Sequence, residues 1–116
     1  MRRDGLAAED GDPGRRGTMA DERADVNVEN NEAEQQFETV VDGHRGVLTY
    51  SGSDGKLYLL HTEVADELEG TGVGSALVRA AAEHARAANL KLVPFCPFAR
   101  HWLERHSEYA GLVTGV

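Results

Sequence analysis

The chain is poor in the residues that staple or anchor a protein. Among its 116 residues it has one cysteine, Cys96, three prolines and 6% aromatics. A single thiol excludes an internal disulfide and a cysteine-built metal cluster, and it fits a reducing, cytoplasmic setting. No apolar run approaches the ~20 residues that span a bilayer, so no membrane-crossing helix is expected. The opening Met1-Arg2-Arg3-Asp4-Gly5-Leu6-Ala7 has two arginines with no apolar stretch behind them and does not read as a signal peptide. Basic residues are also scarce: 12 Lys and Arg against 20 Asp and Glu give a net charge of -8. Such a molecule repels a polyanion, which argues against nucleic acid as a partner.

What is present suits a soluble globular protein with one modest core: 41% hydrophobic and 28% charged residues. The charge is uneven. Asp21, Glu22, Asp25, Glu29, Glu32, Glu34 and Glu38 face only Arg23, whereas Arg79, Arg86, Lys91, Arg100 and Arg105 outnumber Glu83 and Glu104. The C-terminal half can therefore accept an anionic ligand although the whole is acidic. No aromatic residue precedes Phe37, and large apolar residues are few there. Such a segment cannot bury enough surface to offset its ordering entropy. Residues 1–34 are thus expected to form a disordered acidic tail, with 1–18, before Met19, as an upstream extension. The domain is expected over 35–116.

Within the domain, Phe37, Thr39 and Val41 alternate with Glu38 and Val40, which predicts a strand. Asp42-Gly43 is a hairpin signal leading to a second strand over 44–51. A four-residue turn, Gly52-Ser53-Asp54-Gly55, leads to a third strand over 56–64, apolar at its centre on both sides and so expected to be covered on both. A helix is predicted over 72–88, with Val73, Leu77, Ala80, Ala81 and Ala85 on one side, Arg79 and Glu83 as a solvated pair, and Asn89 as a left-handed cap. Leu90-Lys91-Leu92-Val93 reads as a strand ended by Pro94, parallel to the third because a crossover helix joins them. A second helix is expected over 98–106, turning Trp102 and Leu103 inward, then a tail packed through Leu112 and Val113.

The stretch that organises these elements is Glu69-Gly70-Thr71-Gly72-Val73-Gly74-Ser75, where strand gives way to helix. Glycine at alternate positions lets the backbone turn sharply and approach a ligand closely. The first amides of the helix have no partner within it, and the positive end of the helix dipole lies behind them. That combination suits phosphate oxygens. A Walker loop needs a lysine, which Ser75-Ala76 does not supply. A dinucleotide fingerprint needs a glycine where Ser75 stands and a strand close before it. The bland alternative is a plain turn opening a helix.

The third device is the acetyl-CoA turn of the GNAT superfamily, Q/R-x-x-G-x-G/A, which Glu69-Gly70-Thr71-Gly72-Val73-Gly74 resembles at Gly72 and Gly74 but not at Glu69. The stretches Leu59-Leu60-His61-Thr62-Glu63-Val64, Leu68 through Val78, Leu92-Val93-Pro94-Phe95-Cys96-Pro97-Phe98 and Leu103 through Tyr109 are similar, in order, to a family of very small acetyltransferase-like domains in that superfamily. A glutamate at the Q/R position is familiar there. The resemblance implies a truncated GNAT-like α/β (α+β) fold: a mostly antiparallel sheet, a C-terminal parallel βαβ unit and a short last helix. It implies acetyl-CoA as cosubstrate, held by Val64 and the turn from Glu69 to Ser75, and a small amine or protein amino group as acceptor. It also places a histidine and a cysteine near the acetyl group, matching His61 and Cys96.

Acetyl transfer to an amine needs a neutral nitrogen, a base and donors for the oxyanion. Histidine is suited to the base, and His61 lies near the end of the third strand. The alternative is a surface strand histidine. Cys96 is open to three roles: nucleophile through an acetyl-enzyme, acid for the departing thiolate, or pocket lining. Arg100, one turn beyond it, is placed to reach a CoA phosphate or simply to be solvated. The superfamily's tyrosine acid has no clear counterpart, Tyr109 being close to the end. A CoA-binding or protein-interaction module without efficient catalysis is the rival reading.

Overall fold

The structure, a computed structural model, describes residues 26–114. Its strands are β1 (Glu29–Asn31), β2 (Gln36–Val41), β3 (His44–Ser53), β4 (Lys56–Val64) and β5 (Lys91–Pro94), and its α-helices are α1 (Val73–Ala88) and α2 (Pro97–Glu104). The strands form one sheet in chain order. The first three pairings are antiparallel and β4–β5 is parallel, as the crossover through α1 requires.

Two Asp-Gly pairs set the hairpins. Asp42 and Gly43 have φ of 53° and 80°, and Asp54 and Gly55 have 55° and 74°. Left-handed backbone at both central positions is the type I′ turn, whose twist matches that of the flanking strands. The second turn uses only those two residues. β3 therefore runs on to Ser53, which pairs with Lys56, rather than ending at Ser51.

The core lies between one face of the sheet and the helices. Phe37, Leu48, Leu57 and Leu59 meet Val73, Leu77, Val78, Ala81 and Ala85 of α1. Gly46 of β3 lies directly beneath the first turns of α1: a Cβ there would sit 2.9 Å from Val73 Cγ1 and 3.3 Å from Leu77 Cδ1. Trp102 and Leu103 are buried as expected, and Asn89 caps α1 at φ 63°.

Several expectations need correction. β4 is an inner strand but is covered on one face only, because both helices pack on the same side; Leu60 is exposed and Tyr58 half-buried. Ordered structure also begins before residue 35. β1 pairs with β2, Thr39 donates to the Asn27 carbonyl (2.7 Å), Tyr50 donates to Asn30 Oδ1 (2.6 Å), and Val26 and Val28 pack on the core. The remainder of the expected tail, residues 1–25, lies outside the described residues. α2 ends at Glu104, and a 3-10 segment, Ser107–Leu112, follows. Its anchor is Tyr109, fully buried, whereas Val113 is exposed and engages Leu92 through the backbone. Arg79 and Glu83 converge on the Tyr109 hydroxyl instead of forming a purely solvated pair. Among the described residues no helix is long and apolar enough to cross a membrane.

Candidate functional site

The glycine turn is built by backbone geometry. Gly70 and Gly72 have φ of 79° and 87°, which an L side chain adopts only at a cost. Leu68 is buried, and both the amide and the hydroxyl of Thr71 donate to its carbonyl, pinning the turn to the core. Gly72 is the N-cap of α1 and provides no side-chain cap; the first helical bond runs from Ala76 N to Gly72 O at 3.0 Å. The amides of Val73, Gly74 and Ser75 thus precede the ladder of a 16-residue helix. They border a cleft of about 430 Å³ walled by the turn, by Thr62 and Val64 of β4, and by Leu68 and Phe98.

The opposite wall exists because β4 and β5 part company. Their pairing stops at Leu59↔Pro94. The amides of Phe95 and Cys96 then both donate to the Leu59 carbonyl at 3.0 Å, and the chain leaves into α2. From Leu60 onward β4 presents, among the described residues, an edge with no strand beside it, which an extended ligand arm can pair with. The register against β3 also jumps, from Tyr50↔Leu59 to Thr49↔His61, leaving Leu60 as an extra residue. This is a β-bulge, which re-aims side chains. Before it Leu57 and Leu59 face α1; after it Thr62 and Val64 do, and Leu60 and His61 both turn to the open face.

The sequence-predicted residues divide accordingly. Val64, Glu69, Gly70, Gly72, Val73, Gly74 and Ser75 line the cleft. Thr71 does not; its side chain is committed to Leu68. Cys96 is the N-cap of α2, nearly buried, with its Sγ 3.3 Å from Thr62 Oγ1. His61 lies on the other side of β4, its Nε2 3.3 Å from Glu63 Oε2. Cys96 thus sits behind the wall residue Thr62 and does not itself line the cleft, and Cys96 and His61 flank one stretch of strand from opposite faces without touching. Arg100 is outside the cleft wall, half-buried, with an enclosed Nε that has no hydrogen-bond partner.

Sequence reasoning missed Thr62, which had no signal of its own, Leu68 and Phe98. A Cβ on Gly74 would lie 3.0 Å from Phe98 Cζ, so the glycine leaves room for the ring as well as for a ligand. Tyr109 lies elsewhere. Its hydroxyl donates to Glu83 Oε2 and accepts from Arg79 Nη1 at 3.2 Å, and burial raises its pKa. Glu83 is ten residues along α1 from Val73, about 15 Å at the helical rise. That distance separates Tyr109, bonded to Glu83, from the glycine turn.

A profile of the GCN5-related N-acetyl-transferase family matches residues 36–112. The chain is also similar to the NMR solution structure of a GCN5-like, provisionally assigned N-acetyltransferase from Staphylococcus aureus, at a TM-score of 0.60 and 33% sequence identity. That likeness covers 81% of this chain and 93% of the other. No curated protein matches at a significant level. The profile match over most of the chain, with the 33%-identical structure, shows that it belongs to the GCN5-related N-acetyltransferase family.

Proposed function

We propose that the protein binds acetyl-CoA in this cleft and transfers the acetyl group to a primary amine. The observation that carries it is the set of three uncapped amides, Val73 to Ser75, bordering a cleft that continues along the bare edge of β4. The amides and the helix dipole suit the pyrophosphate, and the β4 edge suits an amide-bearing arm running toward the bulge. The thioester end then falls near Leu59 and Leu60, where β4 and β5 separate. There the amine nitrogen attacks the carbonyl carbon, the C–N bond forms and the C–S bond breaks. The amine gives up a proton and the leaving sulfur takes one. His61, held by Glu63, suits the first exchange. Cys96, nearly buried and hydrogen-bonded to Thr62, suits donation to the sulfur better than nucleophilic attack.

Calorimetric titration with acetyl-CoA tests the binding step. A saturable heat is expected, and Gly72→Asp should weaken it at least about tenfold, since a carboxylate beside the amides repels phosphate. The separation of His61 from Cys96 favours one rival, a CoA-binding module that turns over slowly or not at all. Mass spectrometry of an amine panel after incubation separates the two. Acetylated product supports the enzyme; binding without product supports the module.

A further inference from the structure

The open face of the sheet carries a patch that the cleft does not use. Strand alternation puts Leu60, 43% exposed, there with Tyr58, and Phe95 lies at the exit of the neighbouring β5, 52% exposed. The Phe95 ring packs against Tyr58 with centroids 5.7 Å apart, and its amide is tied to the Leu59 carbonyl. Tyr58, Leu60 and Phe95 thus adjoin. Apolar residues scattered singly on a surface need no explanation, but adjoining ones next to a splayed strand pair mark a place for something to sit. His61 and Glu63 follow on the same face of β4.

Building on the acetyl-transfer reading, we propose that this patch is the acceptor site and that it takes a small amphipathic primary amine, one borne on an aromatic or branched aliphatic group. Position is the first argument. The cleft and Phe98 occupy the helix side of β4, so the amine has the open side, where the bulge aims His61. Charge is the second. Glu63 is exposed beside His61, and a carboxylate there attracts the ammonium form that the amine has in water. Size is the third. Three side chains offer room for about one ring or branched chain, far short of the ~800 Å² per partner of a stable protein interface. The patch therefore suits a small molecule better than a protein segment.

The test compares 3-phenylpropylamine and isoamylamine with propylamine, amines of closely similar basicity, as acceptors for the full chain with acetyl-CoA. The two apolar amines should show kcat/KM at least about tenfold above propylamine, the order expected for burying a ring or branched chain in a partly exposed pocket. Phe95→Ser should reduce that preference to about twofold while leaving acetyl-CoA heat unchanged, and the exposure of Phe95 makes the change compatible with folding. Leu60→Ser should reduce the preference by a similar factor. Equal use of all three amines, a preference for 1,4-diaminobutane or a peptide N-terminus, or a preference that survives both substitutions overturns the proposal. So does a dimer that Phe95→Ser dissociates, since a second copy then covers the patch. Acetyl-CoA heat without this discrimination sinks the acceptor site alone; absence of that heat sinks the acetyl-transfer reading and the acceptor site with it.

Discussion

At the scale of single residues, the Cys96 thiol separates two chemistries. If it donates to the leaving sulfur, Cys96→Ala should slow acetyl transfer by about 10²–10⁴-fold, the range one general acid contributes, and if it only packs behind Thr62 by much less. Intact-mass spectrometry should then find no acetylated protein in the parent. A stable mass gain of one acetyl group that Cys96→Ala abolishes would establish the nucleophile instead. Tyr109 allows a prediction about stability. Burial and its bond to Glu83 raise its pKa above the ordinary value of 10.0, so the folded chain keeps that proton to higher pH than the unfolded one does. Its contribution is complete below about pH 10 and is lost as pH rises through the raised value. Tyr50 is shifted the same way by burial. Tyr109→Phe should therefore remove part, not all, of the stability loss seen by urea unfolding above about pH 10. An unchanged alkaline slope would mean that the hydroxyl is not protected.

At the scale of elements, the position of α1 on the sheet depends on Gly46. Its backbone is of ordinary conformation, and what it provides is room, since a Cβ would press on Val73 and Leu77. Gly46→Ala should cost about 1–3 kcal/mol by overpacking. It should also weaken acetyl-CoA binding, because Val73 is both the packed residue and the first amide of the site. Gly52→Ala, whose nearest contact would be Lys56 O at 4.0 Å, is the control and should be near neutral in thermal unfolding. The first hairpin, the place of the second, the capped helix and the parallel β5 were legible because glycine-bearing turns, Asn89 and apolar periodicity act locally, though the second turn is the two residues Asp54-Gly55 and not the four expected. β1 was not: Glu29-Asn30-Asn31 has no apolar alternation and is held by backbone pairing and by hydroxyls reaching from β2 and β3. Nor was the bulge. It is a mismatch between two strands, so neither strand's sequence announces it, yet it decides which way His61 points. The glycine turn could be read alone, whereas the relation of His61 to Cys96 needed three strands and a helix in place.

At the scale of the whole molecule, the charge balance bears on how an anionic cofactor is held. The net charge is -8, and the cleft wall contains Glu69 but no lysine or arginine among the described residues. On the acetyl-CoA reading proposed above, the phosphates would approach a repelling surface and be held by neutral amides and a helix dipole. Salt screens the long-range repulsion over a Debye length of about 10 Å at 0.1 M and affects short contacts with buried backbone much less. The affinity for acetyl-CoA should therefore hold steady or tighten as sodium chloride rises from about 50 to about 200 mM. Lysine or arginine contacts to phosphate predict the reverse, because screening weakens attraction as readily as repulsion. A tenfold or greater weakening in calorimetry over that range would move the phosphates from the glycine turn to a cation, and Arg100, with its unpartnered Nε, would be the first residue to substitute. Steady affinity, together with its loss in Gly72→Asp, would instead leave backbone amides as the group that holds the cofactor.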